Sequence, residues 1–139
     1  MYGALDISTS GMVAQRARLT VASSNIAHRD TLVDSQGNYS PYKRREIMFA
    51  PGDPTASTRE GKAMGVHVAE INVNEEALIP RYSPGHPFDD DGDGYIMVPD
   101  ISPVVEQVNA MEAVRAYEAN VAAADATKSL MAQALRLLA

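Results

Sequence analysis

The segment with the clearest capacity for chemistry is DDDGDGYIMVPD, residues 89–100. A helix-loop-helix calcium site draws oxygen ligands from loop positions 1, 3, 5, 7 and 12, with a sharp glycine turn at position 6. Those ligand positions hold Asp89, Asp91, Asp93, Tyr95 and Asp100, and Gly94 stands at the turn. Position 12 is an aspartate, one methylene shorter than the usual bidentate glutamate. The segment is therefore a candidate calcium site.

The residues on either side of this segment do not fit a helix-loop-helix site. Pro80, Pro84 and Pro87 precede it, and Pro99 lies near its end. Proline removes a backbone donor and clashes with the preceding helical turn, so the flanking helices cannot form. The flanks instead predict an acidic, solvated turn between two extended segments, with calcium binding as the alternative.

Three histidines are the other residues that could act in catalysis or hold a metal ion. His28, His67 and His86 are far apart in the sequence, and none has a second ligand at metal-site spacing. The chain has no cysteine, which excludes disulfides, thiolate clusters and a cysteine nucleophile. It also lacks a GxSxG motif and a phosphate-binding glycine loop. We therefore expect neither an enzyme nor a bound cofactor.

Length and charge narrow the class of protein further. The chain has 139 residues, enough for one ordinary domain, and a net charge of −6. The negative charge disfavours nucleic acid or an anionic membrane as the main partner. The amino terminus lacks the basic and apolar regions of a cleaved signal, and no apolar run could span a bilayer. We expect no nucleic-acid binding and no membrane insertion.

Proline and glycine divide the chain into three zones. Residues 1–30 contain no proline and predict an N-terminal helix whose large apolar residues recur every seven positions. Residues 31–101 hold nearly all the prolines and predict a small, loop-rich β region, with strands within KRREIMFA, MGVHVAEINV and GYIMV. The polar stretch DPTASTREGKA between the first two strands is expected to be a mobile connection.

Residues 102–139 predict a single long C-terminal helix. Ser102 is a residue type favoured at the N-cap, and Pro103 fits the first helical position, where its missing donor costs nothing. A helix of about 36 residues is roughly 54 Å long, whereas a compact chain of this size is under roughly 40 Å across. A kinked helix is the alternative, but the run contains no glycine and no internal proline. The helix should therefore overhang its own domain and be covered by the first helix and by other chains.

Three stretches of the chain resemble axial proteins of the bacterial flagellum. ALDISTSGMVAQRARLTVASSNIAH resembles their amino-terminal signature, whose helix ends in Ala-Ser-Asn-(Ile/Leu)-Ala-Asn. RYSPGHPFDDDGDGYIMVPDI and VEQVNAMEAVRAYEANVAAADATKSLMAQAL are similar to parts of the proximal rod proteins of the basal body. Members of that family place an acidic or polar turn at the DDDGDG position without being calcium proteins. The similarity covers nearly the whole chain.

Individual residues carry the resemblance at both ends. His28 departs from the amino-terminal box, because it stands where the second asparagine is usual. Asn25 is expected to serve backbone hydrogen bonds near a helix end. The matching residues are Ala22, Ser23, Asn25, Ile26 and Ala27 in the box, and Asn109, Met111, Arg115, Tyr117, Glu118, Ala119, Asn120, Thr127, Lys128 and Ser129 in the C-terminal helix.

The resemblance implies an α+β fold and a structural role. Long N- and C-terminal helices (1–30 and 102–139) would form an antiparallel coiled-coil core domain, with the β region (31–101) inserted between them. The protein would be a subunit of the proximal rod, polymerising helically as part of the drive shaft and export channel. It would be exported by the flagellar type III system without a cleaved signal and assemble in the periplasm. Its partners would be its own copies, other rod proteins, basal-body ring proteins and export-gate adaptor proteins.

Residues predicted to make subunit contacts come from the apolar faces of the two helices, together with Asn25 of the amino-terminal box that the resemblance supplies. They are Leu5, Met12, Leu19, Asn25 and Ile26 in the first helix, and Val104, Val108, Met111, Val114, Tyr117, Val121, Leu130, Met131, Leu135 and Leu138 in the last.

Overall fold

The computed structural model of the chain describes residues 2–89 and 92–138. Two long helices enclose a short region of strands, so the predicted α+β class is confirmed. The elements in chain order are α1 (Tyr2–Ala27), β1 (Arg45–Pro51), α2 (Arg59–Met64), β2 (Val66–Val73), β3 (Leu78–Tyr82), β4 (Tyr95–Pro99) and α3 (Pro103–Leu138). Within the described ranges, no helix is both long enough and apolar enough to cross a membrane.

The last helix, α3, is continuous from its predicted start to the end of the described chain. It begins at Pro103, and the Glu106 amide donates to the Ser102 carbonyl at 3.1 Å. Its 36 residues extend over about 54 Å without interruption, so the kinked alternative is wrong.

The two long helices pack side by side in opposite directions. Arg18 forms a salt bridge of 2.9 Å with Glu112, and Asn25, further along α1, reaches back to Glu106. Near the start of α1, Gly11 lies directly against Asn120. Extending this spacing places the first turn of α1 opposite about residue 129, so the last turns of α3 have no part of α1 beside them.

The strands form two separate antiparallel hairpins. β1 pairs with β2, with a register shift at Met48/Phe49, and β3 pairs with β4. β1, β2 and β4 lie within two residues of their predicted positions, whereas β3 carries Pro80 and is not predicted. In a two-stranded sheet every strand is an edge, where proline is tolerated. Residues 83–94, which include the aspartates at the start of the acidic segment, connect β3 to β4, as expected for a turn between extended segments.

The prediction of a mobile connection between β1 and β2 is wrong for the second half of that stretch, which forms α2. The Thr58 side chain accepts a hydrogen bond from the Gly61 amide and so caps the helix. A six-residue helix is marginal by itself in water, and this one packs against α1. Gly61 is buried, and a Cβ there would lie 2.7 Å from the Cβ of Asp6. The α1 surface therefore stabilises α2.

Candidate functional site

The large apolar residues predicted to contact other subunits lie mainly on the surface of the isolated chain. On α1, Leu5, Met12, Leu19 and Ile26 are half-buried. On α3, Val121 and Met131 are half-buried, and the side chain of Leu138 lies outside the described set. The exposed members on α3 are Val104, Val108, Met111, Val114, Tyr117, Leu130 and Leu135. So much exposed apolar surface on helices is typical of a face that other protein chains cover.

Part of this surface is concave and forms a groove between the two long helices. Its apolar lining comes from Leu19 of α1 and from Ala113, Val114 and Tyr117 of α3. Gln15, Arg16 and Glu118 complete the lining. The cavity measures about 360 Å³. We call this the helix-pair groove. Its chemistry suits an apolar side chain with polar groups at the edge.

The end of α3 beyond the start of α1 exposes several large apolar side chains. Leu130 is 63% exposed, Leu135 is 68% exposed and Leu137 is 88% exposed. Burying such a side chain contributes about 1.5–3 kcal/mol, which these leucines forgo in the isolated chain. We call residues 130–138 the overhang, and their exposure agrees with the length argument from the sequence.

Asn25 lies at the opposite end of the helix pair and is only 1% exposed. Its Nδ2 donates to the Arg45 carbonyl at 2.9 Å and to Glu106 Oε2 at 3.3 Å. Its Oδ1 accepts from the Arg45 amide at 3.0 Å and from the Tyr42 hydroxyl at 3.2 Å. Both donors and both acceptor positions of the amide are therefore satisfied within the chain. Asn25 forms backbone hydrogen bonds as expected, and its backbone partner is Arg45 of β1. The side chain therefore links α1, β1 and α3.

Further side chains of the same chain lie next to the Asn25 cluster, which consists of Asn25, Tyr42, Arg45 and Glu106. The His28 ring stacks on Tyr42 at 4.8 Å, and its Nδ1 lies 2.9 Å from the Ser24 carbonyl. Next to Arg45, the Arg44 guanidinium donates to the Glu46 carboxylate, which lowers the pKa of Glu46. His28 thus contacts the carboxyl-terminal end of α1.

Small side chains make the deepest contacts between α1 and α3. Ala14 and Ala113 are each 1% exposed, and Gly11 is buried against Asn120. A Cβ on Gly11 would lie 2.8 Å from the Asn120 amide, whose Nδ2 donates to the Ala116 carbonyl. The apolar residues that recur every seven positions on α1 lie beside this line of small residues. The helices therefore approach closely because their facing residues are small.

A polar face of α1 holds the segment that contains α2. The Asp6 carboxylate accepts from the Thr58 hydroxyl at 2.6 Å and from the Thr58 amide at 3.0 Å. The Ser10 hydroxyl accepts from the Val66 amide at 3.1 Å and donates to the Ile7 carbonyl at 2.7 Å. A Cβ on Gly3 would lie 2.7 Å from the Cβ of Glu60. The amino-terminal half of α1 thus serves two partners, α2 with β2 on one face and α3 on another.

The acidic segment uses its described carboxylates to close its own turn. Asp89 Oδ2 accepts from the Gly94 amide at 3.0 Å, and Asp93 Oδ1 accepts from the Tyr95 amide at 2.8 Å. Asp91 lies outside the described residues, and Asp100 follows β4. In the described part of the chain, no group of three or more His, Cys, Asp or Glu side chains could hold a metal ion. The described part of the acidic segment gives no support to the calcium alternative.

Each of the three histidines makes a local structural contact. His67 Nδ1 lies 2.6 Å from the Gly52 carbonyl, at the turn after β1. The Phe88 amide lies 3.3 Å from His86 Nδ1, and the two rings are 5.4 Å apart. His28 belongs to the Asn25 cluster described above. The structure does not bring the three rings together, so they form no shared site.

Sequence reasoning does not find Asp6, Ser10 or Glu106, although each contacts a distant element. The glycines, serines and threonines of α1 lower its helix propensity. Propensity alone therefore does not reveal that some of them are needed for close packing. Glycine and serine inside an otherwise uninterrupted helix are the signal that points to such packing. Glu106 has no comparable signal beyond its place in the first turn of α3.

Comparison with known proteins shows extended similarity to one group. A family model described as the C-terminal part of flagellar basal body rod FlgEFG proteins matches residues 93–137. The flagellar basal-body rod protein FlgC of Borreliella burgdorferi is 33% identical, covering 99% of this chain and 97% of the relative. The proteins of that name from Salmonella typhimurium and Bacillus subtilis are 35% and 32% identical. They cover 95% and 98% of this chain, and 93% and 97% of their own length.

Proposed function

The chain belongs to the FlgC family of flagellar basal-body rod proteins, and we propose that its terminal helices form the antiparallel coiled-coil core of a rod subunit. Its function is that of a structural subunit of the basal-body rod. The observation that carries the proposed mechanism is the long helix pair, whose apolar overhang and groove are open to other chains. Coiled-coil packing along the line of small residues between α1 and α3 would make the two helices one rigid unit.

The proposed division of the chain follows from these contacts. Residues 1–30 and 102–139 form the core, and residues 31–101 form the β region beside it. The Asn25 cluster and the Asp6–Thr58 contact fasten the β region to α1 at two separate points. Such fastening suits a subunit that transmits torque, because the middle region cannot swing freely on the helices. The protein acts by rigid packing, without catalysis and without a cofactor.

The proposed subunit-contact residues are the large apolar residues that the sequence predicts on the two helices, and those whose side chains are described are half-buried or exposed in the isolated chain. Asn25 is the exception among the predicted set, because its polar atoms are all used within the chain. We assign Asn25 to the internal cluster. The retained positions are Leu5, Met12, Leu19 and Ile26 on α1, and Val104, Val108, Met111, Val114, Tyr117, Val121, Leu130, Met131, Leu135 and Leu138 on α3.

The proposed partners are further copies of this chain and other flagellar rod proteins. Basal-body ring proteins and export-gate adaptor proteins would be further partners. The chain would reach the periplasm through the flagellar type III system without a cleaved signal. These assignments are supported by membership of the rod family rather than by a contact in the isolated chain.

Two charge substitutions test the proposal. Leu19→Glu and Met111→Glu each place a carboxylate in an apolar contact face, where burying the charge on assembly would be strongly unfavourable. We expect both variants to abolish swimming and to remove the chain from purified basal bodies. Thr20→Glu and Gln107→Glu are the controls, since they add the same charge at neighbouring exposed positions. Normal rods and motility in both test variants would refute the assigned contact faces.

A further inference from the structure

The helix-pair groove and the overhang of the same chain complement each other. We propose that the overhang of one copy docks in the helix-pair groove of the next copy. This inference rests on the proposed rod function and adds the specific contact by which successive copies join. Its occupant is a second copy of this chain, and the following geometry supports that choice.

A chain cannot fill its own groove with its own overhang. Leu130 and Val114 belong to one uninterrupted helix and are separated along its axis by about 24 Å. No break in α3 would let the overhang fold back. Both surfaces are nevertheless apolar and open, with Leu130 63% exposed and Val114 39% exposed. The matching partner must therefore come from another molecule.

The angular positions on α3 permit a repeating contact. Successive residues of an α-helix are about 100° apart, so Leu130 and Leu137 lie on one side of α3. Val114, Tyr117 and Val121 lie on the other side, about 180° away. Two parallel copies placed side by side bring opposite sides of their α3 helices together. Such a head-to-tail contact leaves one free surface at each end and so continues into an open helical polymer.

The spacing along the helix also fits. Leu130 and Leu137 are seven residues apart, as are Val114 and Val121, so both pairs meet at one shift of about 16 residues, or about 24 Å. At that shift, Arg136 of the neighbouring copy lies about 3 Å along the axis from Glu118 at the groove. The opposite charges of Arg136 and Glu118 then complement the apolar contact.

Paired cysteines can test this contact, because the natural chain has none. Val114→Cys and Leu130→Cys are introduced together into the full chain, which is produced in cells lacking the natural protein. Purified basal bodies are oxidised and analysed on non-reducing gels. We expect a ladder of disulfide-linked chains, because each copy carries both halves of the contact. Val114→Cys with Ser129→Cys is the control, since exposed Ser129 is about 100° around the helix from Leu130.

The control should give at least fivefold less cross-linked product. Basal bodies that contain the chain but yield no ladder, or an equal ladder in the control, would overturn the docking proposal while leaving the rod function standing. Absence of the natural chain from basal bodies would instead overturn the rod function.

If the cysteine pairs are not incorporated, single alanine variants decide the matter. Leu130→Ala should reduce incorporation at least tenfold, while Ser129→Ala should match the natural chain. Equal incorporation of the two alanine variants would also overturn the docking contact.

Discussion

The two ends of the helix pair differ in how the chain completes them. At the Asn25 end, a buried amide of α1 has all its hydrogen-bond partners within the same chain: Tyr42 before β1, Arg45 of β1 and Glu106 of α3. At the overhang, Leu130, Leu135 and Leu137 are exposed. Folding of the single chain satisfies the polar groups at the Asn25 end, whereas the overhang keeps its apolar side chains exposed.

This difference separates residues that determine the subunit's own stability from residues that determine its assembly. A buried amide with four partners is costly to disturb, since any unpaired polar atom loses its hydrogen bond without regaining water. An exposed leucine contributes little to the fold but contributes fully when a neighbouring chain covers it. Substitutions at the two ends should therefore affect different measurements.

Asn25→Asp should cause the largest loss of stability. The aspartate cannot donate to the Arg45 carbonyl, and its carboxylate would face Glu106 in a buried site. We expect the free energy of unfolding to fall by about 3 kcal/mol, as when a buried charge is left uncompensated. Urea unfolding of the full chain, followed by helical circular dichroism, measures this loss.

Asn109→Asp is the matched control for that prediction. Asn109 accepts a hydrogen bond from Arg18, and a carboxylate at the same place keeps the acceptor beside a positive charge. Its change should be within about 0.5 kcal/mol, as for most surface substitutions. Equal losses of stability in the two variants would mean that the hydrogen bonds of Asn25 contribute no more to stability than those of a half-buried surface residue.

The sequence predicts the long helices well because their periodicity and the absence of proline are local signals. Three of the four strands are also predicted. It does not predict α2, whose existence depends on contact between Thr58 and Asp6, 52 positions apart. The partners of Asn25 are equally distant, with Arg45 20 positions away and Glu106 81 positions away. Contacts that chain folding brings together leave no periodic trace in a single sequence.

The candidate contact surface follows the same rule. The apolar residues of the overhang can be predicted, because their composition and the length of α3 both indicate a protruding helix. The groove cannot be predicted, because it forms only where Leu19 meets Val114 and Tyr117 across the helix pair. For Gly11 the sequence even misleads, since a residue that lowers helix propensity is required there for close packing.

Ala14→Leu should give the second-largest effect and tests the contact line between the two ends. Ala14 is 1% exposed, so a larger side chain would have to push α1 and α3 apart. We expect a loss of about 2 kcal/mol, within the usual range for overpacking. Ala119→Leu, at an exposed position of α3, should change stability by no more than about 0.5 kcal/mol. If urea unfolding shows both variants to be equally stable, the helices do not depend on small residues for their approach.

Asp6→Ala should have a smaller and more local effect, because it removes the acceptor of two hydrogen bonds from Thr58. We expect a loss of about 1.5 kcal/mol, typical of hydrogen bonds to a charged group. Amide hydrogen exchange should accelerate in residues 58–65 far more than in β3 and β4. Asp125→Ala, at an exposed position of α3, should leave exchange in 58–65 unchanged. Unaltered exchange in the Asp6 variant would show that α2 does not depend on α1.

Leu137→Ser should have the smallest effect on the isolated chain and still impair assembly. The side chain is 88% exposed, so the free energy of unfolding should change by less than about 0.5 kcal/mol. In the rod, the same substitution removes apolar area from the proposed contact, so less of the chain should be incorporated into basal bodies. Urea unfolding and quantification of the chain in purified basal bodies measure the two effects separately. A loss of stability as large as that of Ala14→Leu would place Leu137 inside the subunit's own fold, and the contrast between a buried Asn25 end and an exposed overhang would fail.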